Sequence, residues 1–256
     1  MALSKTVAIV NQKGGVGKTT TAVNLAAALG AKGKKILLVD IDPQGNTTSG
    51  YGISKRGLEK TSYDVLTGSC SAAEATIVTK FKNVSVIPSG MDLAGAEIEL
   101  AETEKRDSRL KNALALVSGE YDFIFLDCPP SLGLITLNGL VAAQTLMIPI
   151  QCEFYAMEGL SQLVSTARAV KQRYNPYLET EGIVLTMYDG RLNLTQQVVE
   201  QIKKSFPKKV YSSFIPRNVR LSEAPSYGMP VMYYDKSSKG TKAYNDLADE
   251  FLKNNR

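Results

Sequence analysis

Short apolar runs rich in β-branched residues alternate along the chain with longer stretches whose apolar positions recur every three or four residues. The runs predict strands at Thr6–Val10, Lys35–Asp40, Asp122–Asp127, Thr145–Ile150 and Gly182–Met187, with weaker ones at Val84–Pro88 and Val210–Phe214. The longer spacing predicts helices at Thr19–Lys32, Asp107–Val117, Leu132–Ala143, Met157–Tyr174, Leu194–Phe206 and Thr241–Lys253. Strand and helix in alternation is the pattern of βα units, whose crossovers set strands side by side and parallel. The expected fold class is therefore α/β, with a mostly parallel central sheet flanked by helices. A chain of 256 residues can bury one large core without splitting, and no repeat or low-complexity linker interrupts it. One domain over residues 1–256 is expected.

The first strand breaks directly into glycine. Val7-Ala8-Ile9-Val10 leads into Lys13-Gly14-Gly15-Val16-Gly17-Lys18-Thr19-Thr20, and Thr19 opens a helix carrying Val23, Leu25 and Leu29. Strand, glycine loop and helix in that order describe a P-loop NTPase. Glycines let the backbone curl and aim its N–H groups at an anion, and the helix N-terminus adds a favourable field. Lys18 is placed to reach β- and γ-phosphates and the Thr19 hydroxyl to ligate Mg²⁺. Two further acids, Asp40 and Asp42, emerge at the end of the second strand, the edge where ligands bind in open α/β sheets. Asp127 closes the run Phe123-Ile124-Phe125-Leu126, as a carboxylate holding Mg²⁺ through water would.

Composition narrows the chemistry. The chain has no histidine, so activation of water falls to a carboxylate, an amide or a backbone group. Cys70, Cys128 and Cys152 are scattered and odd in number, which suits a reducing cytosol and fits neither a disulfide framework nor a zinc site. With 44% hydrophobic and 21% charged residues the usage is that of an ordinary globular protein, and no apolar stretch approaches a membrane span. Net charge is only +5, but Thr186–Arg220 alone holds seven bases against two acids. The rest is near neutral.

The glycine loop departs from the general P-loop pattern: Gln12 stands where its first glycine belongs, and Lys13 adds a second lysine. In this it resembles the deviant Walker A motif of the ParA/MinD family of ATPases. The resemblance continues through Leu38–Asn46, Asp127–Gly133, Gly182–Arg191 and Ile215–Val231, and is strongest to the chromosomal ParA/Soj subgroup of partitioning ATPases. It implies ATP and ADP with Mg²⁺ as cofactors, Lys13 reaching across a homodimer to the partner's phosphates, Asp42 positioning water, and Asp40 and Thr19 supporting the metal with Asp127. It implies adenine contacts from Pro216 and Asn218. It also implies that the ATP-bound sandwich dimer binds double-stranded DNA without regard to sequence, through Arg191 and Arg220. A ParB-type centromere-binding partner would stimulate hydrolysis and release. The expected location is cytoplasmic and nucleoid-associated, and the helix-turn-helix domain that precedes the first strand in larger relatives is not expected.

Three alternatives stand beside this one. A MinD-like membrane-cycling ATPase would carry a C-terminal amphipathic helix with a basic face, whereas Tyr244–Leu252 includes three acids. No membrane partner is therefore expected. An iron–sulfur reductase would place cysteines to share a cluster between subunits, and Cys128 and Cys152 read better as small buried residues. A relative that positions a protein cargo, such as a chemotaxis array or carboxysome, on nucleoid DNA would share most of these features.

Overall fold

Seven strands, β1 (Lys5–Ile9), β2 (Ile36–Asp40), β3 (Ile77–Val78), β4 (Val84–Ile87), β5 (Phe123–Asp127), β6 (Thr145–Gln151) and β7 (Glu179–Thr186), form one sheet in the order β3-β4-β2-β5-β1-β6-β7. Every neighbouring pair is parallel except β3 with β4. The computed structural model describes residues 4–255; residues 1–3 and 256 of the expected 1–256 unit lie outside them.

The helices between strands are α1 (Lys18–Ala31), α2 (Asn46–Gly50), α3 (Ser62–Thr67), α4 (Ala72–Ala75), α5 (Leu93–Leu100), α6 (Arg109–Ala115), α7 (Leu134–Ala142) and α8 (Ala156–Arg173), and α9 (Asn193–Ser205) follows β7. After β7 come also α10 (Val219–Glu223), α11 (Val231–Tyr234) and α12 (Lys239–Asn254). Side chains alternate between faces along a strand. Leu37, Val39, Ile124 and Leu126 accordingly pack toward α3 and α5–α9, while Ile36, Leu38, Phe123 and Phe125 pack toward α1 and α12. With both faces covered, every residue of β2 and β5 is buried, which is why these strands read as unbroken apolar runs.

The weak strand expected at Val210–Phe214 is a correction. Only isolated bridges join it to β7, Ile183 with Val210, and beyond that strand Tyr188 with Pro216. The physical reason is a competing acceptor: the Glu250 carboxylate takes the Ser212 and Ser213 N–H groups at 2.7 and 2.8 Å, so the ladder breaks there. The short β3 and the helices α2–α5, α10 and α11 were not predicted, being too brief for a periodicity to register. The six predicted helices are present, each within two residues at either end.

Register sets the site. Ile9, Asp127 and Asp40 are direct Cα partners across β1, β5 and β2, so three strands end level and two carboxylates stand side by side. The glycine loop, the loop after Asp40 and the Cys128–Gly133 turn all leave from this edge.

Candidate nucleotide site

The loop between β1 and α1 is held open by glycine geometry. Gly15 and Gly17 take φ of +74° and +90°, values that other residues rarely adopt, and nothing lies within 4 Å of where a Cβ on Gly14 or Gly15 would stand. Below, the loop is pinned. Asn11 donates from Nδ2 to the Pro149 carbonyl at 2.8 Å and accepts the Lys13 N–H at 3.0 Å, while Thr186 at the end of β7 donates to the Val16 carbonyl at 2.7 Å. Val16 itself is buried. The loop is thus a preformed cradle facing outward, with the N-terminus of the 14-residue α1 behind it.

Lys18, the first residue of α1, is buried and its ammonium donates to the Lys13 carbonyl at 3.2 Å. Burial pushes its pKa down; the nearby carboxylates of Asp127 and Asp42 pull it back up. Lys13 behaves differently. Its side chain is half exposed and its ammonium is paired with Glu153, on the turn between β6 and α8.

The carboxylates divide by what they accept. Asp127 Oδ2 takes hydrogen bonds from the Thr19 and Thr47 hydroxyls, both at 2.8 Å, while its buried Oδ1 has no partner among the described residues. Asp40 is fully engaged by its own loop: Oδ2 accepts from Thr48 N–H at 2.8 Å and Thr48 hydroxyl at 2.7 Å, Oδ1 from Asp42 N–H at 3.2 Å. Both acids are completely buried, and burial raises both pKa values, Asp40 to about 7 with a further push from Asp127, and Asp127 to about 6. Asp42 closes the turn into α2, accepting Gln44 N–H at 2.9 Å, and Gly45 follows at φ +60°.

Beyond Gly17 and Thr20 lies a cavity of about 260 Å³ whose wall includes Thr186, Met187, Pro216, Asn218 and Tyr244. Pro216 and Asn218 thus reach the loop although 200 residues separate them from it. Asn218 caps α10 by accepting Arg220 N–H at 3.0 Å, which leaves its amide donor for a ligand.

The two arginines lie on neighbouring segments, since Tyr188 N–H donates to the Ile215 carbonyl at 3.0 Å. Each is ion-paired. Arg191, 89% exposed, grips Asp189 with Nε and Nη2 at 2.9 and 2.7 Å, and Arg220 pairs with Glu223 at 2.7 Å and Asp235 at 3.3 Å.

Of the predicted residues, Lys13, Gly14, Gly15, Val16, Gly17, Lys18, Thr19, Thr20, Asp40, Asp42, Asp127, Pro216 and Asn218 are gathered at one sheet edge. Asn11, Thr47, Thr186 and Glu153 belong to the same cluster and were missed. Cys128 and Cys152 are buried with thiol pKa values pushed up by burial, and α12 packs Tyr244, Leu247 and Phe251 into the core, Phe251 5.1 Å from Phe123. Among the described residues no helix is long and apolar enough to cross a membrane.

The model of the family described as an AAA domain matches residues 4–180. The sporulation initiation inhibitor protein Soj of Bacillus subtilis is 54% identical over 252 residues, covering 98% of this chain and all of that protein. The chromosome partitioning protein ParA of Myxococcus xanthus is 50% identical, over 98% of this chain and 89% of its own. Among solved structures, cobyrinic acid a,c-diamide synthase of Mycobacterium smegmatis with bound ADP and magnesium superposes with a TM-score of 0.86 at 37% identity, covering 98% of this chain and 95% of that one. A putative plasmid partition protein of Borrelia burgdorferi bound to AMPPNP gives 0.81 at 25%, over 98% and 99%. Half of all positions shared from one end to the other, on a fold whose glycine loop and paired acids stand at one edge, means that the chain belongs to the ParA/Soj family of chromosome-partitioning P-loop ATPases.

Proposed function

We propose that the chain binds ATP with Mg²⁺, hydrolyses it to ADP and phosphate, and uses the two states to switch DNA attachment during partitioning of a chromosome or plasmid. The observation that carries the nucleotide site is the orphaned Asp127 Oδ1, a buried carboxylate oxygen beside an open glycine cradle. An unpartnered buried charge is costly unless a cation or water completes it. Thr19 and Asp127 would hold Mg²⁺, which would neutralise phosphate charge; Asp40 fits a supporting role, since its oxygens fix Thr48 and hence the loop beside Asp127.

Each residue then has a physical task. The N–H groups of Gly14–Thr20 and the Lys18 ammonium bind the phosphates, and Pro216 and Asn218 flank the base. Asp42 orients the attacking water at the mouth of its turn. Lys13 supplies charge to a second copy's nucleotide, so turnover requires a homodimer. Arg191 and Arg220, exposed on neighbouring segments, contact DNA phosphates without base readout. A ParB-type protein accelerates turnover and releases DNA, which places the protein in the cytoplasm on the nucleoid. The buried apolar face of α12 speaks against a membrane-docking helix.

Phosphate release assayed with Mg²⁺ or with EDTA tests the enzymatic half. Turnover that needs Mg²⁺ and falls at least a hundredfold in both Lys18→Ala and Asp127→Asn is expected. Metal-independent turnover, or a fully active Asp127→Asn, would refute it.

A further inference from the structure

Nothing in the sequence marked Glu153, yet it pairs with Lys13, the second lysine by which this loop departs from the general P-loop pattern. We propose that Glu153 is a positioning residue for Lys13: it parks the ammonium at the β6–α8 turn, away from the chain's own nucleotide, until a second copy offers it phosphate. The inference rests on the reading of Lys13 as a group that acts across a dimer.

Three features support a latch. First, the backbone of Lys13 is fixed at both ends, its N–H on Asn11 and its carbonyl on the Lys18 ammonium, so only the side chain can swing. Second, the turn that carries Glu153 is itself rigid, with Glu153 N–H on the Gln151 carbonyl and Ala156 N–H on the Glu153 carbonyl, both at 2.9 Å. The carboxylate is therefore presented from a fixed point. Third, the pair is exposed, with Lys13 and Glu153 side chains 45% and 44% accessible. Exposed ion pairs contribute little, so this one can orient a long side chain and still give it up to a triphosphate, whose charge is greater. Beside it Phe154 and Tyr155 stand 74% and 68% exposed, their rings edge to face at 5.1 Å, an apolar surface next to the latch. Opening the latch and covering these rings would accompany the same event.

Two readouts separate the latch from the dimer reading. In the nucleotide-free protein, the rate at which acetic anhydride modifies the Lys13 amine is followed by mass spectrometry for wild type, Glu153→Gln and Glu153→Asp. In the hydrolysis-blocked Asp42→Ala background with ATP, the dimerisation constant is measured by sedimentation for the same variants with and without Lys13→Gln. A severalfold faster modification in Glu153→Gln, reversed toward wild type in Glu153→Asp, is expected, with dimerisation tightened by about two- to fivefold only while Lys13 is present. Unchanged Lys13 reactivity in Glu153→Gln overturns the latch. So does weaker dimerisation, or an effect that persists in Lys13→Gln. Should Lys13 be deprotected while no variant dimerises with ATP, the trans reading of Lys13 fails, and with it the proposed release step.

Discussion

Asp127 shows what the site demands of a single residue. Its pKa is raised from 3.8 to about 6 by burial, so without metal the folded chain holds a proton that the unfolded chain releases. The stability this gives is complete below about pH 4 and is lost as pH rises through about 6. Asp127→Asn keeps an acceptor for Thr19 and Thr47 and replaces only the oxygen that has no partner. At pH 7.5 the metal-free variant should therefore be more stable than wild type by roughly 1–3 kcal/mol, a Tm gain of a few degrees. Calorimetry at pH 5 and 7.5 checks this: the gain should shrink at pH 5, and Mg-ATP should stabilise wild type only. Such residues were legible because the glycines, lysines and strand-ending acids keep their order and spacing. Thr47, Thr186 and Glu153 were not, because their roles lie in contacts to Asp127, Val16 and Lys13 across 80, 170 and 140 residues. Sequence spacing carries no signal at that range.

Among the elements, those buried on both faces were the easiest to read, and the edge segment 209–216 was the hardest. A central strand's pattern is imposed by the two helical layers above and below it. The edge segment owes its path to particular partners instead: Glu250 diverts two of its N–H groups, and the Tyr211 ring lies so close to Gly182 that an added Cβ would stand 2.4 Å from it. Gly182→Ala must push that segment away from β7. We expect a loss of about 1–3 kcal/mol, typical of overpacking, together with weaker ATP binding, because Ile215, Pro216 and Asn218 follow on the same segment. Glu250→Ala should do the same more mildly. Thermal melts with and without nucleotide read both effects, and a Gly182→Ala protein with wild-type Tm would contradict this packing. Asp40 matters at the same scale: it ties the end of β2 to α2 through Thr48, and Asp40→Ala should loosen α2 and speed its amide exchange while leaving β2 protected.

For the molecule as a whole, the mild net charge conceals a local excess of base. The seven bases against two acids between Thr186 and Arg220 fall on α9, on the turn that follows it and on the segments that carry Arg191 and Arg220, and Lys203, Lys204, Lys208 and Lys209 are exposed there. That the two arginine segments lie side by side could not be read from their spacing; it follows from the bridge between Tyr188 and Pro216. Each arginine already has a carboxylate partner, so DNA must compete with Asp189 and Glu223 for it. Loss of one phosphate contact should weaken binding to all sequences alike and lower the salt slope by about one. Switching of DNA attachment by nucleotide is tested by binding to a long duplex of arbitrary sequence at two salt concentrations, with ATP, ADP or no nucleotide, for wild type, Asp42→Ala and Arg191→Ala. A nucleotide-gated switch binds only with ATP, is weakened by salt, is retained in Asp42→Ala and is lost or sharply reduced in Arg191→Ala. Equal binding in all three nucleotide states, or none with ATP in both wild type and Asp42→Ala, would contradict it.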